Sequence, residues 1–299
     1  MAAAAAPIRS DDDASEKKQF AITMDDPKTT ASPRLTAPER NLAILEALEK
    51  AGTRAALFVC GMRVDDEPGR GVLDAWSARG HILANHTYSH LYLHAEDLSA
   101  ADFVRDIERG ERVVQDYDGF RYLFRYPLLK EGDSIEKRDT VRGFLAEQGY
   151  RVGHATVDAS DWYIEGRMIA RLENEPGADL ARYRDFYLEH MWERARYYDD
   201  LAHAVVKRAI PHTILIHHNL LNALFLGDLL AMFEAKGWEL VDAATAFEDE
   251  VFRAQPDIVP AGESIVWALA KESGAFEDRL RYPGEDGVYE KASMDRLGL

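Results

Sequence analysis

Short apolar runs alternate with helical patterns along most of this 299-residue chain, and this alternation limits the folds open to it. Seven runs have the length and composition of buried strands, and they lie at 19–25, 54–60, 81–85, 121–124, 151–157, 213–217 and 238–241. Apolar residues at helical spacing predict helices at 38–50, 71–79, 99–116, 135–148 and 220–236. This order predicts an α/β fold with a parallel sheet, either open or closed into a barrel.

Polar side chains follow five of the predicted strands at or just past their carboxyl ends. They are Asp25, His86, Arg125, Asp158 and His217. Catalytic groups of parallel α/β folds lie at this edge of the sheet, where the strand ends meet. The sequence therefore predicts that these five side chains converge on one site.

A metal site is the first function that these residues suggest. Asp26, His86 and His90 offer one carboxylate and two imidazoles, a set that suits zinc or another first-row divalent ion and leaves coordination positions open. The two histidines share one face if their segment is helical. Taken alone, such pairs are more often caps and surface residues, but their shared position after apolar strands favours the metal. Asp25 then remains free to act as a base.

An acid and its supporting groups lie on later strand ends. His217 follows an apolar strand and is a natural proton donor, whereas His218 would point to the other side and pack. Arg125 can pair with the base carboxylate and keep it ionised. Asp158 and Asp161 are both candidates to orient His217 and raise its pKa.

Five short motifs in this order resemble those of the NodB-type polysaccharide deacetylases, which are metal-dependent carbohydrate esterases. The motifs lie at 23–26, 86–90, 125–128, 158–162 and 215–217, and the resemblance covers roughly residues 20–247. It implies a distorted seven-stranded parallel (β/α) barrel and removal of acetyl groups from an N- or O-acetylated glycan. It also implies one divalent metal ion, zinc first, with cobalt, nickel or manganese as alternatives.

The resemblance also implies a role for each motif residue. Asp25 would be the base and His217 the acid, with Arg125 orienting the base and Asp158 tuning the acid. The metal ligands would be Asp26, His86 and His90. A backbone N–H near Leu128 would help to bind the oxyanion. The substrate-binding residues would be Tyr126, Leu128, Asp161, Trp162 and Leu215, of which Trp162 and Leu215 would line the acetyl pocket.

Three positions depart from the family pattern without removing a catalytic group. Pro27 stands where a glycine is usual, Leu128 where an aromatic residue is usual, and His218 where an acidic residue often follows the acid. These departures leave the identity of the glycan open.

Two regions are longer than the barrel requires. The segment 163–211 includes apolar residues at helical spacing over 180–205, which predict one long amphipathic helix that packs on the barrel or forms a sugar-stacking wall or a subunit contact. Residues 251–299 predict a C-terminal wrapping extension with one helix at 264–271. We therefore expect a flexible arm at 1–18, a deacetylase domain at 19–250 and this extension packed on the same domain.

Charge and composition exclude some partners. The net charge is −17 and the pI is about 5.0, which argues against nucleic acid and anionic membranes as ligands. No apolar run approaches the ~20 residues of a membrane span. The single cysteine, Cys60, permits no intrachain disulfide and is predicted to be buried. We expect a periplasmic or secreted protein whose signal peptide is absent from this sequence, with the cytoplasm as the alternative, and an oligomeric state that stays open.

Two other functions remain open at this point. The same scaffold could hydrolyse a non-sugar amide, or the protein could be a non-catalytic glycan-binding protein that kept the groove. Intact candidates for the base, the acid and all three metal ligands favour the deacetylase.

Overall fold

The computed structural model describes residues 17–299, so the predicted arm at 1–18 lies outside the described residues except for its last two positions. The strands are β1 (Gln19–Asp25), β2 (Ala56–Val59), β3 (Ile82–Asn85), β4 (Phe120–Phe124), β5 (Lys130–Gly132), β6 (Arg151–Val152), β7 (His212–His217), β8 (Glu239–Leu240) and β9 (Ala261–Gly262). The helices are α1 (Ala37–Ala51), α2 (Glu67–Ala78), α3 (Ala100–Val114), α4 (Ile135–Glu147), α5 (Asp161–Asn174), α6 (Ala181–Val206), α7 (Leu220–Ala235), α8 (Ala243–Ala246), α9 (Ile265–Ser273) and α10 (Gly287–Leu297).

A parallel seven-stranded sheet forms the centre of the fold. Its order is β6-β4-β3-β2-β1-β7, with β8 also paired to β1. A parallel bridge joins Val157 to Ile214, so the chain just after β6 returns to β7 and the sheet curls round on itself. The predicted α/β class with a distorted seven-stranded parallel barrel is confirmed.

The sixth predicted strand is much shorter than expected. The prediction was 151–157, but only Arg151 and Val152 pair with β4, and Val157 makes its bridge alone. Between them, Gly153 lies so close to the Phe58 ring that an added Cβ would be 2.3 Å from it. The N–H of Gly153 makes the last hydrogen bond to β4, at the Phe124 carbonyl, and by Val157 the chain pairs with β7 instead.

Capping residues in the sequence account for most of the positions at which helices begin and end. α1 begins after Thr36, which forms a capping box with Glu39, and ends at Gly52 in the left-handed conformation at φ 70°. α7 begins after Asn219, whose side chain accepts a hydrogen bond from the N–H of Asn222. These helices cover the sheet and bury its apolar residues, as where Phe20 of β1 stacks on Phe233 of α7.

Strand register aligns the functional residues along one edge. β1 pairs with β7 so that Asp25 lies opposite His217, and with β2 so that Asp25 lies opposite Phe58. β3 pairs with β4 so that Asn85, the residue before His86, lies opposite Phe124, the residue before Arg125. The carboxyl ends of these strands are therefore level with one another, and the side chains that follow them meet.

The long insertion folds as two helices rather than one. α6 is the predicted amphipathic helix, with Tyr183, Tyr187 and Tyr198 buried against the core. α5 was not predicted, although Ile164, Met168 and Leu172 are spaced four apart and all three are buried. α6 also contacts α9, so the insertion and the C-terminal extension pack together.

The C-terminal extension contains more structure than the sequence indicated. β9 pairs antiparallel with β5, and α9 corresponds to the predicted helix at 264–271. α10 was missed because its buried positions are Gly287, Glu290 and Met294, which give no apolar stripe. The boundary that we expect at residue 250 stays a prediction.

Candidate active site

The candidate base is held by a buried arginine. Asp25 ends β1, and its Oδ1 accepts a hydrogen bond from Nη1 of Arg125 at 2.7 Å. Arg125 is 1% exposed, donates from Nε to the Gly153 carbonyl at 2.8 Å and lies 3.9 Å above the Phe58 ring. The ion pair fixes one carboxylate oxygen and leaves Oδ2 of Asp25 facing His86, 3.7 Å from its Nε2.

The three candidate metal ligands lie together. Nε2 of His90 is 3.5 Å from Oδ2 of Asp26, and one ligand atom each from Asp26, His86 and His90 fall within 4.8 Å of one another. Nδ1 of His86 is 2.7 Å from the Arg125 carbonyl, which fixes the proton on Nδ1 and leaves Nε2 as a ligand. Burial, followed by the proximity of His90, lowers the pKa of His86 to about 3, so its imidazole is neutral.

The two histidines share a loop and not a helix face. Thr87 and His90 both have positive φ, and the N–H of His90 donates to Oγ1 of Thr87 at 3.0 Å. The N–H of Thr87 donates to Oδ1 of Asn85, the last residue of β3. α3 approaches this loop at Gly110, where a Cβ would lie 2.6 Å from the Thr87 carbonyl carbon. A tight loop supported by a helix therefore brings the two rings together.

The donor set fits a divalent ion. One carboxylate and two imidazoles with open positions suit zinc or a similar first-row metal. Oδ1 of Asp26 is buried without a hydrogen bond, and the Arg63 guanidinium lies 3.3 Å from it. A buried carboxylate oxygen without a hydrogen bond is poorly satisfied by the protein alone, which supports metal binding by the Asp26 carboxylate.

The candidate acid is oriented by Asp161. Nδ1 of His217 is 2.7 Å from Oδ1 of Asp161, and the backbone N–H of His217 donates to Oδ2 at 2.9 Å. Asn219 and Asn222 donate to the same oxygen at 3.0 and 2.8 Å. Burial would lower the pKa of His217, but the charge and hydrogen bond of Asp161 outweigh it and raise the pKa to about 9. His217 is therefore protonated at neutral pH, with Nε2 free toward the cavity.

The role of Asp158 in tuning the acid stays a prediction. We expected it to tune His217, but the hydrogen bonds to His217 come from Asp161, because α5 begins at that residue directly beside the end of β7. Asp158 lines the cavity instead. Burial, then Glu285 and Glu263, raise the pKa of Asp158 well above its ordinary value.

The candidate base, acid and metal ligands open on one cavity of about 460 Å³ at the carboxyl ends of the strands. Its lining includes the following residues with sequence-assigned roles: Asp25, Asp26, His86, His90, Leu128, Asp158, Trp162, Leu215 and His217. Leu128 is 56% exposed and Trp162 is 45% exposed, so both offer apolar surface at the mouth.

Two predicted substrate-binding side chains lie elsewhere. Tyr126 is 1% exposed, and its ring stacks on Phe103 and contacts the edge of Phe124. Because Arg125 points toward the site, the next side chain points away from it, into a second apolar cluster. Asp161 is fully buried and is not among the residues that line the cavity. Its carboxylate contacts the ring of His217 instead.

Other lining residues had no signal in the sequence. They are Tyr92, Leu129, Lys130, Glu263, Pro283, Glu285 and Asp286. The last four belong to the C-terminal extension, which no strand-end or motif argument connects to the site. His218 behaves as predicted, since it is buried and hydrogen-bonded to Asn41, away from the cavity.

The fold and the site together define a parallel (β/α) barrel with a candidate metal centre at the carboxyl ends of its strands. The model of the polysaccharide deacetylase family matches residues 12–153, a range that includes the first three motifs. The first half of the chain is therefore similar to the polysaccharide deacetylase family.

Known proteins extend this comparison. A peptidoglycan-N-acetylglucosamine deacetylase of Bacillus cereus is 24% identical over 147 residues, which cover 49% of this chain and 47% of that protein. The chain thus matches about half the length of this curated relative.

Solved structures show the same fold at low identity. A CE4 family pseudoenzyme from Bacillus anthracis has a TM-score of 0.54 at 16% identity, with 79% of this chain and 66% of that chain covered. A Streptococcus mutans CE4 esterase has a TM-score of 0.51 at 17% identity, with 76% and 86% covered. These likenesses concern the fold alone.

Proposed function

We propose that the protein is a metal-dependent hydrolase that removes acetyl groups from an acetylated glycan. One observation carries the proposal: Asp25 and His217 lie opposite each other in the β1–β7 register, beside the candidate metal ligands Asp26, His86 and His90. Asp25 is paired with Arg125, and His217 is paired with Asp161. A base and an acid on two sides of a metal-ligand set are what acyl hydrolysis requires.

Each residue of the site has a separate role in the proposed hydrolysis. Oδ2 of Asp25 accepts the proton of the attacking water, while Arg125 holds Oδ1. Addition of the water oxygen to the acetyl carbonyl forms the new C–O bond and a tetrahedral oxyanion. Nε2 of His217 then donates its proton to the departing amine or alcohol, and the acetyl C–N or C–O bond breaks as the carbonyl forms again. Asp161 keeps the proton on Nδ1 and aligns the ring. The N–H near Leu128 is a further donor for the oxyanion.

Asp26, His86 and His90 would hold one divalent ion, with zinc as the first candidate. Bound there, the ion would polarise the acetyl carbonyl and lower the pKa of water. The buried carboxylate of Asp26 and the free Nε2 of His86 support this assignment.

An N-acetylglucosamine polymer is our first candidate for the substrate. The curated relative is named a peptidoglycan-N-acetylglucosamine deacetylase. A cavity bounded by Leu128, Trp162 and Leu215 has apolar surface for an acetyl methyl group and a sugar face. Such a substrate lies outside the cytoplasm, and we propose a periplasmic or extracellular location on that ground. No helix in the described part of the chain is long and apolar enough to cross a membrane.

The domain division follows the same proposal. We propose that residues 19–250 form the deacetylase domain and that 251–299 form an extension packed on it, because β9 pairs with β5 and α9 contacts α6.

Acetate release tests the function directly. Zinc-loaded protein is incubated with N-acetylglucosamine oligomers, peptidoglycan, acetylated xylan and a non-sugar acetanilide, and free acetate is measured. We expect release from a glycan. Release from the acetanilide alone would favour the non-sugar amide hydrolase. Glycan binding without release at any metal or pH would favour the binding protein, an alternative that matters because one structural neighbour is described as a pseudoenzyme.

A further inference from the structure

Residues 281–287, here called the C-terminal wall, close one side of the active-site cavity. Pro283, Glu285 and Asp286 of the wall line the cavity, together with Glu263 from the chain just after β9. Building on the proposed function, we infer that this wall restricts the enzyme to acetylated units at the end of a glycan chain, and so to short oligosaccharides in preference to the interior of a polymer.

One end of the wall is tied to the loop after β4. Glu263 forms an ion pair with Lys130, and its N–H donates to the Leu129 carbonyl at 2.8 Å. The N–H of Gly284 in turn donates to Oε2 of Glu263 at 3.2 Å. A Cβ on Gly284 would lie 2.7 Å from that oxygen, so the wall contacts Glu263 directly and is joined to residues 129–130 through it.

The other end of the wall is tied to the start of α5. Oγ of Ser160 donates to Oε2 of Glu285 at 3.4 Å. Gly287 packs on the ring of Tyr163, where a Cβ would be only 2.3 Å from Cδ2. The wall therefore spans the gap between residues 128–130 and residues 158–163, which carry the third and fourth motifs.

Buried ion pairs hold the wall in this position. The side chain of Glu285 is 1% exposed, and its Oε1 is 3.4 Å from Arg194 of α6 and 3.4 Å from Arg281. Arg281 also pairs with Glu290 of α10 at 3.1 Å, and Glu290 lies 3.2 Å from His190 of α6. The two guanidinium groups already balance these carboxylates, so this cluster is an anchor for the wall.

A chain end fits this geometry better than a chain interior. An interior sugar unit needs two exits from the cavity, one for each neighbouring unit, and the wall occupies the side between the third and fourth motifs. A terminal unit has one free hydroxyl in place of a glycosidic bond. The carboxylates of Asp158 and Asp286 line this side and are hydrogen-bond acceptors for such a hydroxyl.

Product mapping tests the inference. The zinc-loaded full chain is incubated with an N-acetylglucosamine pentamer and, separately, with soluble chitin polymer, and mass spectrometry of fragments locates each deacetylated unit. We expect the first acetate to leave from a terminal unit of the pentamer. The rate per acetyl group should be at least about tenfold lower on the polymer.

A matched pair of variants then tests the wall itself. Arg194→Met removes an anchor of Glu285 that does not line the cavity, whereas Arg196→Met changes an exposed arginine of the same helix whose guanidinium lies near the Trp192 ring. We expect Arg194→Met to speed amide exchange in 281–287 and to raise the polymer-to-pentamer rate ratio about tenfold, and Arg196→Met to do neither. Glu285→Gln removes the same ion pairs and is the second test if Arg194→Met fails to fold.

Two outcomes separate this inference from the proposed function. Deacetylation of interior units by the wild-type protein, or an unchanged rate ratio in Arg194→Met and Glu285→Gln, would overturn the role of the wall and leave the deacetylase intact. Absence of acetate from every glycan would overturn the proposed function and the inference with it.

Discussion

Asp161 contacts His217 at two points, accepting from the backbone N–H at 2.9 Å and lying 2.7 Å from Nδ1 of the ring. The same carboxylate thus fixes both the end of β7 and the orientation of the imidazole. Its second oxygen is further satisfied by Asn219 and Asn222, so the carboxylate is held from several directions. Nε2 of His217 is consequently the atom that faces the substrate.

The alkaline limit of activity should follow His217. As the acid, this histidine works only when protonated, and its pKa is raised to about 9, so activity is present below that pH and is lost as the pH rises through it. Asp161→Asn removes the charge that raises the pKa. We expect the alkaline limb of kcat against pH to move down by about one unit or more.

Asp158→Asn is the matched control for this prediction. Asp158 lines the cavity but the hydrogen bonds to His217 come from Asp161, so its variant should change KM more than the position of the alkaline limb. An alkaline limb that moves in Asp158→Asn and stays in place in Asp161→Asn would return the tuning role to Asp158.

Asp25→Asn should separate catalysis from metal binding. The ligands Asp26, His86 and His90 stay in place, so zinc affinity measured by calorimetry should change little. The amide cannot accept the proton of water, and we expect kcat to fall by about 10²–10⁴-fold. Retained turnover would assign the base to another group.

Arg125→Met should destabilise the fold as well as the site. It leaves the carboxylate of Asp25 buried without its cation, and loss of one partner of a buried ion pair costs about 3–5 kcal/mol. Urea unfolding measures the loss. Arg121→Met, at an exposed position of β4, should change the free energy of unfolding by less than about 0.5 kcal/mol. Equal effects of the two variants would contradict the role of the buried pair.

Gly110→Ala should weaken metal binding from outside the ligand set. Its Cβ would collide with the backbone of Thr87, in the loop that carries His86 and His90. We expect zinc affinity to fall about 10–100-fold, the range typical of changes to groups that support metal ligands. Gly143→Ala in α4 meets no atom within 4 Å and is the control, and its zinc affinity should stay at the wild-type value.

The sequence predicted the barrel best where local pattern and burial agree. β1 was predicted at its observed bounds because residues 20–24 are all buried, with Phe20, Ile22 and Met24 on one face of the parallel sheet and Ala21 and Thr23 on the other. β6 was overestimated because the run that predicted it continues past Gly153, whereas the pairing with β4 ends there with the hydrogen bond from the N–H of Gly153 to the Phe124 carbonyl.

The residues of the site also differ in whether the sequence could place them. Residues at strand ends could be placed from the order of the strands alone, whereas the choice between Asp158 and Asp161 depended on where α5 begins. The position of the C-terminal wall could not be predicted, because it depends on the ion pair of Glu285 with Arg194, which lies 91 residues earlier in the chain. Sequence periodicity carries no signal for such contacts.

Metal removal tests the central claim most directly. Purified protein is treated with excess chelator, assayed for acetate release from an N-acetylglucosamine oligomer, and assayed again after one equivalent of zinc is added to the dialysed protein. Since Asp26, His86 and His90 form the candidate metal centre, we predict that release stops with chelator and returns with zinc, and that Asp26→Ala abolishes both zinc binding and release. Full activity in excess chelator would contradict the account.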